Sequence, residues 1–285
     1  GSVSLSQTIF NKKVVATYKF QASSFLLLNQ MITTIVVLLI LKFLNIIKLN
    51  TSYDIKTVKS VIPLAFCYIT NVLLGLDSLK ELNIPMYSAL KRLVAFVVLI
   101  MEYFILKKVS PPKVVASVIV MVFGAIIAGV TDLTFSALGY SLVLLSCFFQ
   151  ASYLVYAKKI SNTNMSTYDM LYLNSLLSLP FTFILVVVNK ELEYFSSYEY
   201  LNNRSFQIYY ALSVFLGFFL NFCIFFCTAV NSPMTTSVVG SAKNIITMVL
   251  GAIIFQDIII HPLNILGLIV NILGGIWYSF LKLKG

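Results

Sequence analysis

Charge is scarce in this chain. Of its 285 residues 11% are charged, and only ten are acidic, where soluble domains run at about 25% charged. His261 is the sole histidine and sits between apolar runs. The sequence therefore offers no Ser/His/Asp set, no H-E-x-x-H and no carboxylate pair within one helix, so an intramembrane enzyme is disfavoured. The four cysteines, Cys67, Cys147, Cys223 and Cys227, all lie in apolar stretches. They read as free thiols rather than a disulfide framework. Cys223 and Cys227 share a helix face at i, i+4, but two thiols are too few for a structural zinc. No G-x-x-x-x-G-K-[ST] loop is present, which argues against nucleotide hydrolysis by the chain itself. No metal and no cofactor is expected.

What is present is apolar. Hydrophobic residues make up 59% and the mean hydropathy is +0.94, more than a soluble core could absorb. Nine apolar segments fall at Phe25–Ile47, Val61–Leu76, Ile84–Leu106, Val114–Val130, Leu138–Tyr156, Met170–Val188, Ile208–Ala229, Pro233–Phe255 and Pro262–Leu283. Spans of about 20 residues cross a bilayer. The stretch from Val3 to Val15 is mixed and short, and it reads as an incomplete first helix. The expectation is an all-α polytopic membrane protein with ten transmembrane helices in contact with lipid.

The net charge of +10 could suggest nucleic acid as a partner. The lysines instead fall in short loops between apolar runs, which is a topology signal. Lys42, Lys48, Lys56, Lys59, Lys107, Lys108, Lys113, Lys158, Lys159, Lys282 and Lys284 share one side. Asp77, Lys80, Glu81, Asp132, Lys190, Glu191, Glu193, Glu199, Arg204 and Asp257 share the other, which leans acidic. Positive charge marks the cytosol, so both termini are expected there. Lys12, Lys13 and Lys19 break the pattern.

An internal repeat is legible. Asn83-x-Pro85-Met86 recurs as Asn231-x-Pro233-Met234, 148 residues later. Each copy leads into an apolar run containing a lysine and ending near an acid, Glu102 or Asp257. Gly124 and Gly274 follow, 150 residues apart. Two halves, 1–133 and 134–285, each with five helices, would sit inverted in the membrane with a site at their interface.

Three cations interrupt the apolar runs: Lys91 and Arg92 in one, Lys243 in another. A charge at membrane depth costs a few kcal/mol or more unless a cavity or partner compensates it. A bound anion is a fitting compensation, with Arg92 offering a planar fork for phosphate oxygens. Neighbours on a helix point about 100° apart, which weighs against both Lys91 and Arg92 reaching one cavity; snorkelling to the interface is the plainer reading. Around Lys243 the small residues Ser237, Gly240 and Ser241 leave room for a ligand or for helix packing, and Asn244 adds an amide. Tyr172, Asn174 and Ser175 suit stacking and edge hydrogen bonds to a base, although Tyr is also common at interfaces. Asn71 and Asn221 read as polar glue or as site residues.

The stretches "NIPMYSALKRL", "LYLNSLLSLP" and "TTSVVGSAKN" resemble the fourth, seventh and ninth helices of nucleotide-sugar transporters of the drug/metabolite transporter superfamily. The resemblance runs in order along the chain and includes "NKKVVATYKF" and "NQM" near its start. It implies a Golgi or endoplasmic reticulum location, a role in glycosylation, and exchange of a nucleotide sugar for a nucleoside monophosphate. Carried over, Tyr87, Lys91, Arg92, Gly240, Ser241, Lys243 and Asn244 would meet phosphate and sugar. Tyr172, Asn174, Ser175 and Asn221 would meet base and ribose. Lys243-Asn244 reverses the family's Asn-Lys order, and Leu173 and Ser175 replace its Tyr and Asn. These departures resemble the UDP-glucuronate/UDP-N-acetylglucosamine branch, pointing to a UDP-sugar and UMP and away from GDP-mannose. A homodimer is compatible with this reading. The alternatives are an organic phosphate or triose-phosphate translocator, and a non-transporting receptor or scaffold whose lysines pair with Glu102 or Asp257.

Overall fold

A computed structural model describes residues 2–50, 53–107, 109–130, 135–162, 165–231, 233, 236 and 262–284, and every regular element among them is helical. α1 (Ser2–Lys12) runs on into a π-helical turn, Lys13–Thr17. Then follow α2 (Ser23–Phe43), α3 (Ile55–Glu81), α4 (Ile84–Lys91), α5 (Val94–Leu106), α6 (Pro112–Val130), α7 (Ala137–Ser161), α8 (Thr167–Val188), the short α9 (Glu191–Ser196), α10 (Arg204–Val230) and α11 (Pro262–Lys284).

Polar side chains set the helix starts. Each of the first backbone N–H groups of a helix lacks an intrahelical acceptor. Asn83 Oδ1 accepts from Met86 N at 2.8 Å, and Ser136 Oγ accepts from Gly139 N at 3.1 Å. Ser166 and Asn203 do the same for α8 and α10. The Asn-x-Pro-Met motif is thus a helix start, with its proline in the first turn, where a missing N–H costs nothing.

Six helices, α2, α3, α6, α7, α8 and α10, are long and apolar enough to cross a membrane, and α11 contains an apolar stretch, Ile265–Leu281. Large apolar side chains such as Phe43, Phe104, Phe123, Phe226 and Phe280 are more than half exposed. Bands of this kind are stable only against lipid, so the chain is a polytopic membrane protein. The segment Ile84–Leu106, which reads as one span in the sequence, is two helices. Arg92 N bonds to Ala89 O at 3.2 Å and Leu93 N to Leu90 O at 2.9 Å. These i→i−3 bonds tighten the turn and interrupt the α-helix immediately after Lys91.

The helices of the two halves of the chain pack in a reciprocal pattern. α3 packs on α7 and α10 on α1, α3 packs on α8 and α10 on α2, and α2 meets α8 while α6 meets α11. The α6–α11 contact is backbone on backbone. A Cβ on Gly124 would lie 2.3 Å from Asn271 N, one on Gly267 2.4 Å from Ala128 N, and one on Gly274 2.8 Å from Met121 N. The contacts ascend α6 as they descend α11, so the two helices are antiparallel. Gly124→Ala cannot be absorbed by a side-chain shift, because the obstructing atoms are main chain. It is expected to lower stability by about 1–3 kcal/mol, read as a fall in melting temperature of the detergent-solubilised protein.

Lys12 departs from the charge rule for a structural reason. Only 6% exposed, it donates to Leu79 O at 3.0 Å and Leu82 O at 2.7 Å. These carbonyls lie at the C-terminal end of α3, where the helix dipole favours a cation. Lys158, at the end of α7, donates in the same way to Ala229 O at 2.8 Å, at the end of α10. Each of the two lysines thus caps carbonyls at the C-terminal end of a neighbouring helix.

Beside α1 an aromatic layer joins the chain before α2 to the α9 region. Tyr18, Phe20, Tyr194, Tyr198 and Phe206 meet edge-on or tilted. Tyr198 Oη donates to Tyr18 O at 2.5 Å and Tyr194 Oη to Lys19 O at 3.1 Å. Glu191 accepts from Phe25 N at 2.6 Å, placing its negative charge at the start of α2.

Candidate functional site

Lys91 is the last residue of α4, and three helices converge on it. Its Nζ donates to Ser146 Oγ at 2.6 Å, to Gln150 Oε1 at 3.1 Å and to Asn71 Oδ1 at 3.3 Å. The Tyr87 ring lies 5.8 Å from it, close enough for a cation–π contribution. An ammonium has three protons, and here all three meet neutral oxygens. Glu102 is buried on α5, yet it is not a partner of Lys91; the ion pair among the described residues is Lys80 with Asp77, at 2.7 Å. Gly75 faces the same space. A Cβ there would come within 3.6 Å of the Tyr87 hydroxyl and 3.8 Å of Lys91 Nζ.

The polar groups continue along two helix faces. On α3, Tyr68, Asn71 and Gly75 stand at i, i+3 and i+7; on α7, Ser146, Gln150 and Tyr153 stand at i, i+4 and i+7. Such spacings keep residues on one face. Ser146 Oγ lies 2.9 Å from both Asn71 O and Asn71 Oδ1. One turn further, the Tyr68 and Tyr153 rings are 5.5 Å apart, and Phe225 of α10 meets Tyr153 at 5.3 Å. Asn221 of α10 donates to Tyr68 Oη at 2.5 Å. A seam of polar and aromatic side chains therefore connects Lys91 to Asn221 through α3 and α7.

Asn174 and Ser175, on α8, are fully buried. Among the described residues, neither end of the Asn174 amide nor the Ser175 hydroxyl has a hydrogen-bond partner. Leaving such a group unsatisfied costs about 1–3 kcal/mol; the other buried polar side chains of α8, Ser178 and Thr182, bond to carbonyls of their own helix. Tyr172 is partly buried, its ring 6.5 Å from that of Tyr53. Tyr53 Oη reaches Asp169 at 3.2 Å; burial first, and then the Asp169 carboxylate, raise its hydroxyl above the usual tyrosine range.

Arg92 turns away from Lys91. It is 1% exposed and donates through Nη1 to Asn271 of α11, whose own amide donates to Met121 O of α6 at 2.6 Å. The structure thus places Tyr87, Lys91 and, through the seam, Asn221 together, with Asn174, Ser175 and Tyr172 on α8, which packs against α2, α3 and α10. Arg92 belongs to the packing of α4 on the α6–α11 pair and is not brought to the Lys91 cluster. Gly240, Ser241, Lys243 and Asn244 lie outside the described residues, as does Asp257. Sequence reasoning passed over Gly75, Ser146, Gln150, Tyr68 and Tyr153. The one signal that could have found them is the pair of polar stripes on α3 and α7.

Residues 2–279 match the Triose-phosphate Transporter family. A Dictyostelium discoideum protein provisionally named a UDP-sugar transporter is 69% identical over 270 residues, covering 95% of this chain and 70% of that protein. UDP-galactose/UDP-glucose transporter 7 of Arabidopsis thaliana is 35% identical over 291 residues, covering 100% of this chain and 88% of its own length. A UDP-N-acetylglucosamine transporter of the same plant is 27% identical over 289 residues, covering 97% of this chain and 84% of its own length. A solved crystal structure superposes with a TM-score of 0.64 at 11% identity, over 98% of this chain and 97% of that one, and shares the fold. On the profile and on these identities together, this chain is a membrane transporter and belongs to the Triose-phosphate Transporter family.

Proposed function

We propose that the chain is a nucleotide-sugar transporter of a Golgi or endoplasmic reticulum membrane. It exchanges a cytosolic UDP-sugar for lumenal UMP by alternating access. The observation that carries this reading is Lys91, a cation on a broken helix held only by neutral oxygens. Such a lysine can donate hydrogen bonds to a phosphate without first breaking an ion pair, and in a low-dielectric cleft that charge-assisted contact is strong. Tyr87 and Lys91 would hold the diphosphate or monophosphate. Gly240, Ser241, Lys243 and Asn244 would complete the anion site from the segment between Pro233 and Phe255. Asn174, Ser175, Tyr172 and Asn221 would recognise uridine. The names of the relatives, UDP-sugar transporters, support the same substrate class.

The same reading includes ten spanning helices in two inverted repeats, 1–133 and 134–285, with both termini cytosolic. Its support is the reciprocity of the packing. Under an offset of about 150 residues the Gly124–Asn271 contact maps onto Met121–Gly274, and Lys12 at the end of α3 maps onto Lys158 at the end of α10. The two repeats would rock about the seam, and Arg92, on the α6–α11 side, would anchor α4 as they do.

A carrier of smaller organic phosphates is the second reading, and the family's own name favours it. The buried amide and hydroxyl of Asn174 and Ser175 distinguish the two, since a triose phosphate has no base edge to use them. Thermal stabilisation of the purified protein should be greatest with UMP and UDP-sugars, weaker with GMP and absent with triose phosphate. Asn174→Ala should weaken UMP and UDP-sugar alike, by about 1–3 kcal/mol, or roughly fivefold to 150-fold. Equal shifts with GMP and UMP, or a loss confined to the sugar nucleotide, would remove Asn174 from base recognition.

A further inference from the structure

Outside the transport seam, an apolar groove of about 300 Å³ opens on the outer face between α5 and α6. Phe96, Leu99, Ile100 and Tyr103 line one wall, and Val115 and Ile119 line the other. Most of these side chains are 36% exposed or more, so the groove faces the bilayer and not the protein interior. The lining residue farthest from the C-terminal end of α5 is Phe96, ten residues from that end, or about 15 Å along the helix. That is half the hydrocarbon thickness of a bilayer, about 30 Å, and so the reach of one acyl chain from one leaflet.

The other end of the groove is the turn that carries Val109 and Ser110. Lys107 stands immediately before this turn and Lys113 immediately after it, both exposed. Lys107 closes α5 in a left-handed conformation (φ 54°), its N–H bonded to Glu102 O, which turns the chain sharply at the mouth. Lys113 lies in the first turn of α6, where the helix dipole adds to its charge. Pro111 and Pro112, both exposed, stiffen the turn. An acyl-chain groove of single-leaflet depth with two lysines at its mouth is complementary to one kind of molecule.

We infer that the α5–α6 groove is a binding site for an anionic phospholipid of the cytosolic leaflet, with one acyl chain between Phe96 and Ile119 and the headgroup phosphate between Lys107 and Lys113. The site is independent of the transport reading and depends only on the membrane placement of α5 and α6. Its occupant would brace the lower half of the broken α4–α5 span, the element that presents Lys91. Basic pockets between spanning helices on the cytosolic side bind anionic headgroups by the same chemistry.

The test is the melting temperature of the purified protein in detergent, titrated with dioleoyl phosphatidylserine or with dioleoyl phosphatidylcholine. Native mass spectrometry reads the number of lipids retained. Phosphatidylserine should raise the melting temperature more than phosphatidylcholine and leave one tightly retained lipid. Lys107→Gln with Lys113→Gln should reduce the phosphatidylserine shift to that of phosphatidylcholine. Lys56→Gln with Lys59→Gln, two exposed lysines in the first turns of α3, should leave it unchanged. Val115→Trp, which fills the groove from its lipid-facing wall, should abolish retention of the lipid while the lysines remain. Equal shifts for the two lipids, or equal loss in both lysine pairs, would overturn the proposal in favour of general surface charge. A protein that Val115→Trp converts from dimer to monomer, with no lipid retained in either form, would make the groove a contact between two copies.

Discussion

Lys91→Ala is expected to abolish nucleotide exchange in liposomes while leaving the folded protein at least as stable as the parent. The two outcomes have one cause. Removing one partner of a desolvated charge pair costs about 3–5 kcal/mol, so anion affinity should fall by two to three orders of magnitude. The unliganded protein loses no ion pair, because Ser146, Gln150 and Asn71 are neutral. Ser146 and Asn71 already lie within hydrogen-bond distance of each other and can satisfy part of what the lysine leaves. A buried charge without a counter-ion is a cost to the fold, so its removal should not lower the melting temperature. The check is a melting curve with and without UMP, run beside uptake. A variant that melts far lower without ligand yet keeps a normal UMP shift would make Lys91 a structural residue.

Gln150→Glu should have the opposite character. It places a carboxylate where an amide oxygen now lies 3.1 Å from Lys91 Nζ, supplying inside the protein the negative charge otherwise brought by substrate. The pair gains strongly at low dielectric, so the melting temperature should rise. UMP must then displace a carboxylate, and its affinity should drop by about 1.5–3 kcal/mol, the range of hydrogen bonds to charged groups. With the site neutral when empty, the empty carrier can cross, and loaded liposomes should lose UMP with no substrate outside. Retention of strict exchange and of normal UMP affinity in Gln150→Glu would show that the charge of Lys91 does not govern the return of the empty carrier.

Much of the fold is legible in the sequence because membrane spans are written in composition. All of α2, α3, α6, α7, α8, α10 and α11 fall within or around the apolar segments, displaced by a few residues at their ends, where Asn83, Ser136, Ser166 and Asn203 set the boundaries. The break after Lys91 is not legible. No proline or glycine marks it, and the i→i−3 turn at Arg92 and Leu93 comes with tertiary packing, in which Arg92 bonds Asn271 on a helix 179 residues away. Lys12 is misplaced by the charge rule for a similar reason. It is a buried cap on another helix, and a rule that counts loop charges cannot see burial. At the candidate site, the partly buried cation Lys91 is visible because a charge in an apolar run is rare. Its partners Ser146, Gln150 and Gly75 are not, because small polar residues in spans are common, and only the meeting of α3, α4 and α7 singles them out.

The proposed exchange of a uridine nucleotide sugar for uridine monophosphate is open to direct measurement. Counterflow tests it most directly. Liposomes containing the purified protein are loaded in parallel with UMP, GMP, CMP, triose phosphate or buffer, and radiolabelled UMP is offered outside. Label should accumulate rapidly in UMP-loaded vesicles, less in CMP- or GMP-loaded ones, and almost not at all with triose phosphate or buffer, and the accumulation should be lost in Lys91→Ala. Accumulation driven by triose phosphate as strongly as by UMP, or no accumulation under any loading by a protein that melts cooperatively, would contradict it.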